Sequence, residues 1–360
     1  MKIRVISLLL TLCLIFAVGA VFTACGGDGK TTDTNAATGT TAPDGTSDNQ
    51  TTPDTTPEAT VKTDVKVMVL NGTTGFGIAP LMDKNSKGEA ANNYTFSVET
   101  DASNITAALI NGSVDMAALP TNAAANLSAK KPGSVQVLAV NTLGVLYLMS
   151  GEGTTITSME DLRGKTVYCP AQNPSFIFTY LCKQNGLVPG TDITIDTSYA
   201  QPADLRTALV AGQVDIAVLP EPMVTIAKSA NDKLTVDLDL TAEWDKCTTP
   251  GSLAQGCIVV RTAFAAEHPE AVAAFLAEYE TSINFVKENP AEAGTMIEAQ
   301  GVFAKGAVAT KAIPNCNICF LTGEDMKAML QQFYTVLHGV APASVGGAIP
   351  GDDLYYIPAE

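Results

Sequence analysis

Residues 205–222 read LRTALVAGQVDIAVLPEP, and residues 105–122 read ITAALINGSVDMAALPTN. Laid over each other without a gap, at an offset of 100, the two stretches agree at eight of eighteen positions. Ala108, Leu109, Gly112, Val114, Asp115, Ala117, Leu119 and Pro120 each meet a residue of their own kind. The same offset places VKVMVLNGTTGFG (65–77) on KTVYCPAQNPSFI (165–177), pairing Val67 with Val167 and Phe76 with Phe176. Such a period is longer than the solenoid and propeller repeats, which run from about 20 to 50 residues. The chain reads as one α/β lobe written twice.

Each copy parses into the same elements. VKVMVL and KTVYC are short apolar runs with the look of buried strands. NGTTG then opens the helical pattern FGIAPLMDKNSKG. In the second copy PAQNPS opens FIFTYLCKQNG, with Pro174 near the first helical position and Gly186 as the stop. YTFSVE and DITIDT follow as second strands, ASNITAALING and ADLRTALVAG as short helices, VDMAALP and VDIAVLP as third strands. Strand and helix in alternation predict parallel pairing with right-handed crossovers. Ligands of such sheets lie outside the carboxyl ends of the strands. Those ends are the turns after Leu70, Cys169, Leu119 and Leu219.

VQVLAVNTLGVLYLMS, between the copies, holds two more apolar strands with Asn141 and Thr142 at their junction, and SLAQGCIVVRTAF adds one after the second copy. The chain therefore passes between lobes twice, as a two-strand hinge. The expected division is residues 63–142 with 254–360 for one lobe and 143–253 for the other. PEAVAAFLAEYETSINFVKEN and GEDMKAMLQQFYTVLHG have core-facing helical spacing, and both are expected to pack back on the first lobe.

The ends have a different character. MKIRVISLLLTLCLIFAVGAVFTAC carries Lys2 and Arg4, then an apolar run, then small residues, which is the layout of a secretory leader over residues 1–24. An uncleaved membrane anchor is the alternative. Residues 25–62 are rich in Thr, Asp, Gly, Pro, Ala and Asn, and too poor in apolar side chains to offset their ordering entropy; a disordered tether is predicted. The chain holds 37 acidic against 21 basic residues, a net charge of −16. That surface repels nucleic acid and anionic headgroups.

Three stretches carry a family resemblance: LRGKTVYCPAQNPSFIFTYLCKQNGLVPGTDITI, ADLRTALVAGQVDIAVLPEP and IVVRTAFAAEHPEAVAAFLAEYETSI. They resemble the solute-binding proteins of ABC importers, in the branch serving nitrate, aliphatic sulfonates, taurine and pyrimidine thiamine precursors. The resemblance runs from about Val65 to Leu337. It implies a two-lobe α/β fold of the periplasmic-binding-protein type (type II) that closes on a small solute and presents it to a membrane permease. It implies a monomer and no cofactor. VFTAC is also similar to the lipobox of bacterial lipoproteins, which makes Cys25 the lipidated residue and the protein extracytoplasmic. The ligand class implied is a sulfonate, taurine or a pyrimidine precursor.

Candidate ligand contacts come from the strand-end turns. In NGTTGFG, Asn71, Thr73 and Thr74 offer side-chain donors, and a helix starting near Thr74 would point the amides of Thr74, Gly75 and Phe76 at an acid group. Thr73 capping its own helix is the plain alternative. In the second copy Gln172, Asn173 and Ser175 occupy the matching turn, where Asn-Pro turn chemistry would equally account for them. Thr121 and Asn122 follow one third strand, and Glu221, held between two prolines, follows the other. A cleft-facing Glu221 favours an amine or amidine. Phe76, Phe176 and Tyr199 are candidates for an aromatic wall, and Trp244 for the cleft mouth.

Asp115 and Asp215 recur at strand starts, far from the carboxyl ends, and read as structural. Cys247 and Cys257 close a short loop and are the first candidates for a disulfide; Cys316 and Cys319 form a CxxC without the second pair a zinc site needs. His268 and His338 sit at helix ends, away from the predicted turns. No GxSxG, HExxH or nucleotide fingerprint occurs. The reading is a binding protein, not an enzyme, with an enzyme of the same fold or a surface lipoprotein without a transport role as the alternatives.

Overall fold

The computed structural model describes residues 62–358. The expected leader, the lipidated Cys25 and the tether up to residue 61 lie outside the described residues. Eleven strands follow in chain order: β1 (Asp64–Leu70), β2 (Asn93–Glu99), β3 (Met116–Pro120), β4 (Val135–Thr142), β5 (Leu146–Ser150), β6 (Thr166–Tyr168), β7 (Thr194–Asp196), β8 (Ile216–Pro220), β9 (Thr235–Asp239), β10 (Gly256–Arg261) and β11 (Ile318–Leu321). They build a six-stranded sheet, β11-β4-β10-β3-β1-β2, and a five-stranded sheet, β7-β6-β8-β5-β9. Helices cover both, giving the two-sheet α/β architecture that the duplicated pattern predicts.

The duplication survives as register. β2, β1 and β3 run parallel, as do β7, β6 and β8. Met68 lies opposite Ala117, and Tyr168 lies opposite Ala217, so the same partners recur one hundred residues on. Beyond the third strand each sheet continues with a strand of opposite direction. β10 sets Gly256 against Pro120, and β5 sets Leu146 against Pro220. β4 then pairs the far side of β10, and β9 pairs the far side of β5. β5, which follows the first copy, thus completes the second sheet, and β10, which follows the second copy, completes the first. The two copies have exchanged a strand.

The third strands show why this holds. In MAALP of β3, Met116 and Ala118 face one core and Ala117 and Leu119 face the other, all fully buried. A strand covered on both faces reads as an unbroken apolar run. Helix Pro269–Glu288 lays Val272, Phe275, Tyr279 and Ile283 into the core on the Met116 side, as expected. Helix Gly323–Val340 behaves differently from expectation. Its Leu330, Phe333 and Leu337 share a cluster with Val140 of the first sheet and with Phe178 and Leu181 of helix Asn173–Gln184, which belongs to the second copy. The apolar stripe gives its period but not its partner, and this stripe serves both halves.

Trp244 sits in that shared cluster, fully buried between Tyr180 and Phe333, its indole N–H donating to Ser252 Oγ at 2.8 Å. It is a core residue and not the mouth of a cleft. The expected Cys247–Cys257 disulfide is absent: both are free thiols, as are the other four described cysteines. Cys257 lies inside β10 and donates to the Leu119 carbonyl at 3.5 Å, whereas Cys247 ends helix Leu240–Cys247 beside the Asn185 amide. Among the described residues no helix is long and apolar enough to cross a membrane.

Asp115 has the structural role read from its position. Its carboxylate accepts the Lys66 amide at 2.9 Å and Arg261 Nη2 at 2.6 Å. The repeated Asp215 is exposed.

Candidate functional site

The carboxyl ends of the parallel strands from both sheets converge on one cavity of about 310 Å³. That volume lies at the small end of the range for organic ligands, roughly 300–1,000 Å³. One wall is the turn after β1: Leu70, Asn71, Gly72, Thr73 and Thr74. The opposite wall comes from the second copy: Asn173 and Pro174 at the start of helix Asn173–Gln184, and Pro220, Glu221, Pro222 and Met223 after β8. Pro120, Pro202, Thr142, Val145, Gln255 and Phe303 complete it.

The first wall is held from behind. The Asn71 amide donates to Glu99 O at 2.7 Å, and Asn141 Nδ2 donates to the Thr74 carbonyl at 3.1 Å and to the Tyr279 hydroxyl at 2.9 Å. Asn141 is buried at the end of β4, so this turn is tied to the crossing between copies. Gln255 ties the two crossings together: its Oε1 accepts the Val145 amide at 2.7 Å and its backbone N–H donates to Thr142 O at 3.0 Å.

Of the residues singled out from sequence, Asn71, Thr73, Thr74, Asn173 and Glu221 line the cavity. The others do not, each for a local reason. The helix after β1 is a single turn, Thr73–Phe76, before a second helix at Ala79–Ser86. The Gly75 amide is spent on the Gly72 carbonyl at 2.9 Å. A Cβ on Gly75 would meet Leu70 O at 2.5 Å and Val69 Cγ1 at 2.7 Å, so a bulky side chain there disturbs the packing behind the turn, not the cavity. Phe76 is fully buried, edge-on to Phe303. Thr121 is buried with its hydroxyl donating to Ala254 O at 2.7 Å, and Asn122 is buried in the same helix, Thr121–Lys130. Gln172 turns its side chain to solvent, and Ser175 donates back to the Gln172 carbonyl at 2.8 Å. Of the proposed aromatic wall, Tyr199 packs on Tyr168 and Phe176 against the core. Phe303 is the aromatic residue of the cavity.

The two turns share a backbone device. Gly72 has φ 105° and ψ −158°; Gln172, its counterpart, has φ 66° and ψ −129°. This region suits glycine, and a side-chain-bearing residue held there costs about 1–3 kcal/mol. Replacing Gln172 with glycine is therefore expected to stabilise the protein by about 1 kcal/mol, read from urea midpoints at constant slope. A loss of stability would mean the strain is not there.

Among the described residues Glu221 is the only charged one in the cavity wall, 3% exposed. Its Oε2 accepts the Thr225 amide at 3.1 Å and its Oε1 the Thr225 hydroxyl at 3.0 Å. Burial pushes its carboxyl above the usual range; the bonds from Thr225 and Asn315 pull the other way. The neighbouring Tyr147 hydroxyl and Cys316 thiol are themselves pushed up by burial and stay neutral near pH 7. A carboxyl with a raised folded pKa binds its proton more tightly in the folded state. Its contribution to stability is present at low pH and is lost as pH rises through the folded value. Glu221→Gln should therefore raise the Tm of the ligand-free protein at pH 7 and leave it nearly unchanged near pH 4. Equal shifts at both values would show that this carboxyl is not the source.

Asn173 is 8% exposed, and its Oδ1 has no hydrogen-bond partner. The histidines lie elsewhere. His268 caps helix Pro269–Glu288 with its ring on Phe264, and His338 ends helix Gly323–Val340 beside the Gly347 carbonyl.

A family model described as NMT1/THI5 like matches residues 92–293. Solved structures share the fold. An ABC transporter protein from Parabacteroides distasonis is 24% identical with a TM-score of 0.71, over 83% of this chain and 100% of that one. The periplasmic aliphatic sulphonate-binding protein SsuA of Escherichia coli is 14% identical with a TM-score of 0.67, over 83% and 94%. The alkanesulfonate-binding protein SsuA of Xanthomonas axonopodis pv. citri, bound to MOPS, is 15% identical with a TM-score of 0.58, over 81% and 96%. No match is found among curated proteins.

Proposed function

The chain belongs to the NMT1/THI5 like family, and from that premise we propose that it is the solute-binding component of an ABC importer. It captures a small organic solute outside the cytoplasm and hands it to a membrane permease. The observation that carries this reading is the single cavity walled by equivalent turns of both copies. The names of the structural neighbours, ABC transporter and sulfonate-binding proteins, support it. In this reading residues 63–142 with 254–360 form one lobe and 143–253 the other. The leader over residues 1–24 directs export, Cys25 then anchors the protein to the membrane through lipid, and the molecule acts as a monomer. The ligand comes from the sulfonate, taurine or pyrimidine-precursor classes.

The mechanism is closure. Asn71, Thr73 and Thr74 on one wall and Asn173 and Glu221 on the other touch a solute together only when the lobes approach. Binding then shifts the open–closed population by its differential affinity for the closed state. A thermal-shift screen of the protein against sulfonates, taurine, amino acids and pyrimidines tests this. A ligand at 100 times its Kd adds about 2.7 kcal/mol of stability, which is readily seen as a saturable rise in Tm. Turnover of the bound compound would move the protein to the enzymes. No shift across the panel would end the receptor reading.

A further inference from the structure

We propose that the solute recognised here presents a protonated nitrogen, an amine or amidinium, to Glu221. This rests on the solute-binding reading above and narrows it. Among the described residues no lysine, arginine or histidine lines the cavity, and the one charged residue that does is an acid. Glu221 is almost wholly buried, and the two bonds from Thr225 with the one from Asn315 still leave a carboxylate lone pair free, since each oxygen has two. Asn173, which lines the same cavity, is more than nine-tenths buried with an unpartnered carbonyl oxygen. An orphaned buried polar atom in a native site points to a missing partner. A half-turn of the amide exchanges its oxygen and nitrogen, so Asn173 offers a solute either an acceptor or a donor.

The opposite case is unfavourable. A simple anion placed in this cavity meets a like charge in a poorly solvated space and finds no cation to offset it. The neutral donors of Asn71, Thr73 and Thr74 lie on the other wall, suited to the far, polar or acidic end of the same molecule. Leu70, Val145 and Phe303 cover an apolar body between the two ends. The solute is thus a cation or a zwitterion.

The test uses the purified full chain. A thermal-shift screen of metabolites sorted by charge is followed by calorimetry on matched pairs that differ at the nitrogen: taurine against isethionate, benzamidine against benzamide, and each hit against its deaminated analogue. Hits should carry a protonated nitrogen, bind about 10- to 100-fold tighter than their analogues, and lose that preference in Glu221→Gln. If Glu221→Gln does not fold, Glu221→Asp, which withdraws the carboxylate by one methylene, should lower the ratio in the same direction. Hits confined to nitrogen-free sulfonates or carboxylates would overturn the proposal and leave the receptor reading standing. A nitrogen preference that survives both variants would overturn it too, by placing the recognition elsewhere. No hit of any charge would remove the receptor reading and this proposal together.

Discussion

Trp244→Ala should lower the stability of the protein by about 3–5 kcal/mol, the usual cost of emptying a buried tryptophan site. The indole is fully buried, with ring centroids 5.0 Å from Tyr180 and 5.8 Å from Phe333. Those neighbours lie on helices Asn173–Gln184 and Gly323–Val340, so the cavity would open where elements of the two halves meet. The substitution also leaves Ser252 Oγ without its indole donor. Trp244→Phe keeps most of the ring contacts and loses only that bond and some volume, so about 1–2 kcal/mol is expected. Urea unfolding followed by circular dichroism checks both, since the substitutions remove the only tryptophan. A cost below 1 kcal/mol for the alanine variant would mean that the shared cluster does not bind the halves.

The second large effect separates two residues that the repeat makes look alike. Asp115→Ala leaves Arg261 without its 2.6 Å partner and the Lys66 amide without an acceptor. Breaking a buried pair from one side costs about 3–5 kcal/mol. Arg261 keeps a quarter of its side chain exposed and its bond to the Val114 carbonyl, so about 2–3 kcal/mol is the expected loss. Asp215→Ala, at an exposed position, should stay within about 0.5 kcal/mol. Equal losses for the two would contradict the structure.

That contrast shows what a repeat conveys. Identity at Asp115 and Asp215 reports common descent of a strand start, whereas the load depends on Arg261, which lies outside both copies. The same distinction runs through the site. Strand, turn and helix order was legible because β3 and β8 are covered on both faces and the helices Ala102–Asn111, Asn173–Gln184 and Pro202–Val210 stop at or just before Gly112, Gly186 and Gly212, all at positive φ. Asn71, Thr73, Thr74, Asn173 and Glu221 were legible because strand ends dictate where a turn points. Which neighbouring residues face inward was not. Gly75 and Phe76 fall on the packed side of a one-turn helix, and Thr121 spends its hydroxyl on the segment leading into β10, 133 residues away. Phe303 and Gln255 enter the cavity from segments with no periodic pattern, carried there only by tertiary packing. β9 went unread because its burial is that of an edge strand, with one buried residue, Leu238.

The exchanged strands have a consequence for any attempt to divide the molecule. A nick in the loop after β5 would yield two fragments, each holding four strands of its own sheet: the first lacks β10, which belongs between β3 and β4, together with the edge strand β11, and the second lacks β5, which belongs between β8 and β9. Each fragment would carry the piece the other lacks, and bare hydrogen-bonding edges would flank the gap. Neither is then a foldable module by itself. Mixed together they form a complementing pair, and the polypeptide link between them is dispensable to the architecture in a way the swapped strands are not.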